Sequence, residues 1–212
     1  MRVPVCAAAL ALAVSGCLVP ERAVRAPASV APDAEAAAAL GDSLARAPSP
    51  EARRGVAARA LRRAGVTPLA GGRFTVGVGA PLVGGFVPGR VPGRAAELVV
   101  VAASLDGPGA ADAVEAVRVL VDLSLAGTVP ERTVQVVLWT GSAGGAGLRT
   151  AVSAPLWSRE AVVAAVVVGD GLPTAVGGVP VAGVAPGPDL AARLVGAVLA
   201  RAAEPAVVPV DP

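Results

Sequence analysis

The chain has 212 residues, with a hydrophobic fraction of 54% and a charged fraction of 16%, which excludes disorder over most of its length. Its formal net charge of +2 is too small for the concentrated basic surface that nucleic-acid binding needs, so no nucleic-acid partner is expected. The length suits one domain once a leader is removed. The composition contains no His, Lys, Tyr, Asn or Ile, so imidazole is excluded as a metal ligand or general base.

The first residues have the form of a bacterial leader. Arg2 supplies a positive charge, Val3 to Val14 form an apolar run too short to span a bilayer, and the sequence VSGC ending at Cys17 resembles a lipobox. This pattern predicts a lipoprotein signal peptide at residues 1–16 and a diacylated Cys17 that anchors the chain to the membrane. The alternative is an ordinary secretory leader with an incidental Cys. Leu18 after the Cys favours the outer membrane or the surface of the bacterial cell envelope.

Residues 17–32 mix Pro, Ala and Arg without periodicity and predict a lipid-anchored tether, which leaves residues 33–212 as the folded domain. An Ala-rich helix is expected from Asp33 to Ala47, with Asp33 as its cap. A second helix starts at Ser49 and stops at Gly65, which is typical of a helix C-terminus. The arginines of this second helix form a solvated face or, alternatively, contact anionic lipid headgroups beside the anchor. They are Arg53, Arg54, Arg59, Arg62 and Arg63.

Two short apolar runs, rich in Val and bounded by Gly and polar residues, predict strands of a buried parallel sheet. They are Leu98 to Ala103 and Val134 to Trp139. Between them, Ala110 to Ala126 has helical spacing with a sheet-facing apolar stripe. The stripe consists of Val114, Val117, Val121 and Leu125. Strand, loop, helix and strand form a right-handed crossover unit, and such sheets bind ligands at the carboxyl ends of their strands.

Further elements complete an α/β fold with a mixed, mainly parallel sheet sandwiched by helices. The other expected strands are Phe74 to Val78, Leu82 to Val87, Ala161 to Val168 and Gly177 to Val184. A final helix starts at the turn Pro186 to Asp189 and runs to about Ala203.

Four stretches at the ends of the predicted strands resemble one known family. They are AASLD (Ala102 to Asp106), GAADAVEAV (Gly109 to Val117), WTGSAGGAG (Trp139 to Gly147) and VVVGDG (Val166 to Gly171). In the di-zinc aminopeptidases (metallopeptidase clan MH, aminopeptidase Y-like) the matching stretches read Ala-His-x-Asp, Gly-Ala-x-Asp-Asn-x-x-Gly, Trp-Thr-Gly-Glu-Glu and Asn-x-Asp. The resemblance covers roughly Leu61 to Asp170 and implies a zinc-exopeptidase-like fold. Because this chain ends about where the family starts its last ligand-bearing strand, a C-terminal truncation of the sheet is expected.

At the positions that carry the family's chemistry, this chain has residues of other types. The zinc-binding His corresponds to Ser104, and the Glu-Glu pair, a general base followed by a zinc ligand, corresponds to Ser142 and Ala143. The family's last ligand is a His near the C-terminus, and this chain has no His. Ser104 and Ser142 also lack a His or Lys that could serve as the base for serine hydrolysis. The resemblance therefore implies a degenerate member without a catalytic residue.

The family's acidic positions are retained. The resemblance implies that Asp112 is a metal-bridging position, Asp170 a terminal ligand position and Asp106 a residue behind the ligands. Alternatively, Asp112 is a helix-start acid stabilised by the helix dipole, and Asp170 is a turn residue between two glycines. Two or three carboxylates alone would favour hard cations such as calcium or magnesium, so no zinc cofactor is expected.

The sequence thus predicts a catalytically inactive, aminopeptidase-like envelope lipoprotein, a pseudoenzyme that binds a peptide or protein partner in a vestigial cleft. One alternative is an active metal-dependent aminopeptidase or hydrolase with a rebuilt site of Asp106, Asp112 and Asp170. Another is a nucleotide-binding α/β protein, because TGSAGGAG (Thr140 to Gly147) follows a strand and fits a phosphate loop. The Tyr and Lys that short-chain dehydrogenases use with such a loop are absent. A truncated gene product without selected activity is a further alternative.

Overall fold

The computed structural model describes residues 30–76, 82–142, 146–152 and 161–204, so the predicted leader, Cys17 and Ala143 lie outside the described residues. The helices are α1 (Ala34–Ala45), α2 (Pro50–Arg63), α3 (Ala110–Leu125), α4 (Ala146–Val152) and α5 (Leu190–Ala203). The strands are β1 (Thr67–Pro68), β2 (Thr75–Val76), β3 (Leu82–Val87), β4 (Leu98–Ser104), β5 (Thr133–Trp139), β6 (Val162–Val168), β7 (Ala175–Val176) and β8 (Val179–Val184). No helix within the described ranges is long and apolar enough to cross a membrane.

The strands form one mixed sheet with a parallel centre. Its order across the described residues is β1-β3-β5-β4-β6-β8-β7, with β2 also paired to β3. The neighbours β5, β4, β6 and β8 are parallel, whereas β3 is antiparallel to β5 and β7 is antiparallel to β8. The prediction of a mixed, mainly parallel sheet is therefore confirmed.

Both faces of the sheet are covered by helices. The side chains of β4 point alternately to the two faces, and each face belongs to its own apolar cluster. Val99 and Val101 belong to the cluster that also contains side chains of α1, α2, α3 and α5. Val100 and Ala102 belong to the cluster on the other face, to which α4 contributes Leu148. Every residue of β4 and β5 is buried, as expected for central strands between two helical layers.

The predicted starts of the first two helices are confirmed in detail. The Asp33 carboxylate accepts a hydrogen bond from the Ala36 backbone N–H at 2.9 Å, and the Ser49 hydroxyl accepts one from Ala52 at 3.1 Å. Each cap satisfies a backbone N–H that the first turn of a helix leaves without a partner. Gly65, just past α2, has a φ of 75°, which glycine adopts without strain.

Three sequence expectations are corrected by the packing. Leu125 is 82% exposed rather than part of the buried stripe of α3, because the core-facing side continues through Leu120 and Leu123. The strand expected from Gly177 to Val184 is present as β8 but begins at Val179, since Gly177 and Gly178, with positive φ, form the turn between β7 and β8. The arginine face of α2 is only partly solvated, because Arg54 is buried beside Glu51.

Candidate functional site

The carboxyl ends of β4 and β5 are fastened to each other at the position where the sequence predicts the site. Ser104, the last residue of β4, is buried, and its hydroxyl donates to the Gly141 carbonyl in the loop after β5. The same oxygen accepts the backbone N–H of Asp106 at 3.1 Å. The Leu105 N–H donates to the Trp139 carbonyl at 2.6 Å, so backbone and side chain both join the two strand ends.

Asp106 extends this network to α2. One of its carboxylate oxygens forms an ion pair with Arg53, and the other accepts the backbone N–H of Gly141. Arg53 in turn donates from Nε to the Leu44 carbonyl at 3.2 Å, near the end of α1. Asp106 therefore holds three elements together, namely the β4–α3 loop, the β5 loop and the α1–α2 pair.

Asp112 lies in the first turn of α3, beside the same loop. The turn begins at Gly109, whose φ of 99° and close approach to Val168 leave no room for a Cβ, which would lie 2.4 Å from a Val168 methyl group. Burial raises the pKa of the Asp112 carboxyl above its ordinary value, while a backbone hydrogen bond and the positive charge of Arg193 act in the opposite direction. Asp112 is thus a half-buried helix-start acid whose ionised form is disfavoured.

The remaining predicted site residues lie in more open surroundings. Asp170 is exposed just after β6, between two glycines. This position agrees with the alternative that Asp170 is a turn residue. Ser142 is also exposed, and its backbone carbonyl accepts the Trp139 indole N–H at 3.1 Å. Ala143, and with it part of the Gly-rich loop proposed for nucleotide binding, falls outside the described residues.

A cleft of about 540 Å³ lies between α1 and the β4–α3 loop. Its walls combine small apolar side chains of α1 with the charged groups described above. They include Ala37, Leu44, Arg53, Asp106, Pro108 and Asp112. The structure therefore brings Asp106 and Asp112 to one cavity, and it leaves Ser104, Ser142 and Asp170 outside the cavity lining.

The described residues do not fit the zinc site that the resemblance would require. Among them, no group of three or more Asp, Glu, Cys or His side chains is placed to hold a metal ion. A co-catalytic zinc site needs several such ligands around two metals and a base that activates water. Asp106, Asp112 and Asp170 are consequently not grouped as a rebuilt three-carboxylate metal site would require.

Two residues at this site were not identified from the sequence. By sequence Arg53 is one of the arginines expected on the solvated face of α2, whereas in the structure it pairs with Asp106 and lines the cleft. Arg193 of α5 acts on the Asp112 carboxyl from a helix that is far away in the chain. No local pattern marks either contact, because both depend on how distant elements pack.

Asp112→Asn is expected to stabilise the fold at neutral pH. The folded chain binds the Asp112 proton more tightly than the unfolded chain does, so stability falls as pH rises from the unfolded pKa to the raised folded pKa. The substitution removes this loss, and its benefit should disappear below about pH 4, where Asp is protonated in both states. Urea unfolding at several pH values measures it, with the exposed Asp42→Asn of α1 as the control. A loss of stability at neutral pH that grows on adding zinc or calcium would instead indicate a metal ligand.

No protein-family model matches the chain, and no curated protein matches it in sequence. Solved structures match its fold. A candidate Zn-dependent exopeptidase from Bacteroides vulgatus ATCC 8482 superposes with a TM-score of 0.53 at 11% sequence identity, over 82% of this chain and 98% of that chain. Glutaminyl cyclase of Porphyromonas gingivalis matches with a TM-score of 0.42 at 14% identity, over 66% of this chain and 60% of that chain, which is too weak to carry an argument.

At 11% identity, the likeness to the exopeptidase candidate concerns the fold alone. It agrees with the fold that the strand-end motifs imply. The chain is therefore an α/β protein with a zinc-exopeptidase-like fold.

Proposed function

We propose that this chain is a catalytically inactive relative of the zinc aminopeptidases, held at the bacterial cell envelope by lipidated Cys17, and that it binds a peptide segment of a partner in the cleft between α1 and the β4–α3 loop. The proposal joins three separate statements. They concern the loss of metal chemistry, the binding cleft and the lipid anchor, and each has its own support and its own test.

The observation that best supports the proposed loss of metal binding is that the Asp106 carboxylate is already occupied by contacts within the protein. Both of its oxygens are used within the protein, by Arg53 and by the Gly141 N–H. Ser104, which stands at the family's His position, is likewise buried and donates to a backbone carbonyl. Residues at this end of the sheet thus serve to connect loops, and this chain has neither a His nor the Glu-Glu pair that supply zinc ligands and the base in the family it resembles.

The shape and chemistry of the cleft support peptide binding. An apolar wall from α1 faces the ion pair between Arg53 of α2 and Asp106 of the β4–α3 loop, and the half-buried Asp112 at the start of α3. Clefts with apolar walls and a few fixed polar groups are typical of ligand sites. An extended peptide could place its side chains against Leu44 and direct its backbone N–H groups to Asp112.

A hydrolysis assay tests the inactivity directly. The chain from Leu18 to Pro212, which keeps every contact described above, is incubated with zinc and a panel of aminoacyl nitroanilides. We expect no turnover above that of the Asp112→Ala variant. Zinc-dependent turnover that disappears in Asp112→Ala would contradict the proposal and favour an active hydrolase.

Peptide binding is tested with displayed random peptides selected on the same chain. Ala38 is exposed on α1 and lines the cleft, whereas the neighbouring Ala39 is exposed but faces another groove. Ala38→Trp should therefore weaken binding of the selected peptides at least about 10-fold, a loss that filling a pocket readily causes, and Ala39→Trp should leave it unchanged. Equal effects of the two variants would place the peptides elsewhere.

The lipid anchor is tested separately in bacteria that process lipoproteins. The full chain should appear in the membrane fraction with a diacylglycerol-modified Cys17, and Cys17→Ser should be released from that fraction. Mass spectrometry of the mature N-terminus distinguishes this outcome from cleavage of an ordinary secretory leader, which would leave Cys17 without lipid.

A further inference from the structure

A second groove, of about 530 Å³, lies among α1, α2 and α3, on the surface away from the cleft lining just described. Its floor is apolar and includes the partly buried Leu40, Val56 and Ala60. Arginines form its rim, with Arg59 and Arg63 contributed by α2. The groove therefore combines a concave apolar surface with concentrated positive charge.

The positive charge of this rim is not neutralised by neighbouring carboxylates. Arg59 and Arg63 are exposed and one helical turn apart, and neither forms an ion pair with any described residue. The acid in the lining, Glu115, is buried and already receives hydrogen bonds from Arg118 at 2.6 to 2.9 Å. Two guanidinium groups are thus free to meet an anion, and the guanidinium fork suits phosphate oxygens.

The start of the described chain is fixed at the edge of the same groove. The Asp33 backbone N–H donates to Glu115 at 2.6 Å, and Arg118 donates to the Ala31 carbonyl at 3.1 Å. Cys17 lies thirteen residues before Val30. A chain of that length spans roughly 45 Å when fully extended and about 20 Å as a flexible coil. An acyl chain on Cys17 would therefore hold the groove close to a bilayer surface.

We propose that this groove, defined by Leu40, Val56, Arg59 and Arg63, binds the headgroup of an anionic phospholipid, so that the domain lies against the membrane that carries its anchor. The two guanidinium groups donate to the lipid phosphate, and the apolar floor contacts the glycerol and upper acyl carbons. The statement that the groove lies close to the bilayer rests on the proposed lipidation of Cys17. The charge and shape of the groove do not depend on it.

The surface beside the groove favours a bilayer over a single small anion. A neighbouring depression of about 740 Å³ shares Ser43, Val56 and Arg59 with the groove and adds Arg46, together with Glu51, whose charge is paired with Arg54. The basic and apolar surface therefore continues along both α1 and α2. A basic surface of this kind commonly adds to the membrane binding that a lipid anchor provides.

Vesicle binding tests the proposal with the unacylated chain from Leu18 to Pro212. It should bind vesicles that contain phosphatidylglycerol and not vesicles of phosphatidylcholine alone, and added salt should weaken the binding. Arg59→Ala with Arg63→Ala should weaken it roughly 30-fold, the loss expected for two basic side chains at an anionic surface. The control combines Arg90→Ala with Arg149→Ala, which removes two exposed arginines outside the groove and changes the net charge equally.

Each of the following outcomes would overturn the proposal that the groove binds an anionic lipid. Equal weakening by the two double variants would mean that binding follows net charge and not this groove. No binding to either vesicle would exclude a lipid surface as the partner. Displacement by millimolar inorganic phosphate would assign the arginines to a free anion, and tighter binding of a poly-glutamate peptide would assign them to an acidic protein. None of these results affects peptide binding in the cleft, which Ala38→Trp tests, or the processing of Cys17.

Discussion

Arg132→Ala is expected to lower the free energy of unfolding by about 3 kcal/mol, because it removes a buried guanidinium group that pairs with the partly exposed Glu97 and donates several hydrogen bonds. Arg132 is 1% exposed, immediately before β5, and its guanidinium pairs with Glu97. It also donates to backbone carbonyls at the end of α5, those of Arg201, Ala202 and Glu204. A helix leaves its last carbonyls without partners and is stabilised there by positive charge, so Arg132 links the end of α5 to the start of β5 in addition to the apolar packing of that helix.

Denaturation in guanidinium chloride measures the effect of this substitution. Arg132→Lys should recover only part of the stability, because an ammonium group cannot bridge Glu97 and the α5 carbonyls as the guanidinium fork does. The control is Arg149→Ala, an exposed change in α4 that should alter stability by no more than about 0.5 kcal/mol. A loss below about 1 kcal/mol for Arg132→Ala would contradict the importance of this contact.

Gly84→Ala is expected to cost about 3 kcal/mol, because β3 and β5 approach too closely for a side chain at this position. A Cβ added to Gly84 would lie 2.3 Å from the Val136 carbonyl oxygen of β5. The obstacle is backbone, so the new methyl group cannot be accommodated by rotating a side chain and must separate the two strands. Overpacking of this kind lies at the upper end of the usual losses.

Gly196→Ala provides the matched control for Gly84→Ala. Gly196 is exposed in α5, and a Cβ there would meet no atom within 4 Å. The same chemical change should therefore stabilise the fold by about 0.5 to 1 kcal/mol, since alanine favours a helix and restricts the unfolded chain. Thermal unfolding of the two variants should show shifts in opposite directions. Similar shifts would mean that the close approach of β3 and β5 is not as described.

The parts of the fold with a local cause were predictable from the sequence. Ser49 and Gly65 mark the two ends of α2 by capping chemistry that acts within a few residues. The continuous Val-rich runs of β4 and β5 predict strands that are buried on both faces, and every residue of these two strands is buried. The sequence does not predict the short helix α4, because it follows a Gly-rich stretch of sequence and spans only seven residues, too few for an apolar period to be recognised.

The contacts that define the cleft could not be predicted, because they join residues far apart in the chain. Arg53 and Asp106 are 53 residues apart, and their pairing depends on how α2 packs beside the β4–α3 loop. The burial of Arg132 has the same origin, since its partners include the carbonyls of Arg201 and Ala202 in α5. For Ser104 and Asp112 the sequence placed the residues correctly at the strand end and the helix start. It could not show that Ser104 is committed to Gly141 or that burial raises the pKa of Asp112.

Calorimetric titration of zinc into the chain from Leu18 to Pro212 tests the central claim, that the metal chemistry of the fold is lost, most directly. The proposal predicts no stoichiometric heat and no thermal stabilisation by zinc, because no group of three or more Asp, Glu, Cys or His side chains among the described residues is placed to hold a metal ion, and Asp106 is paired with Arg53. Stoichiometric binding at micromolar or higher affinity that disappears in Asp112→Ala would contradict the account, and it would direct attention to peptide hydrolysis.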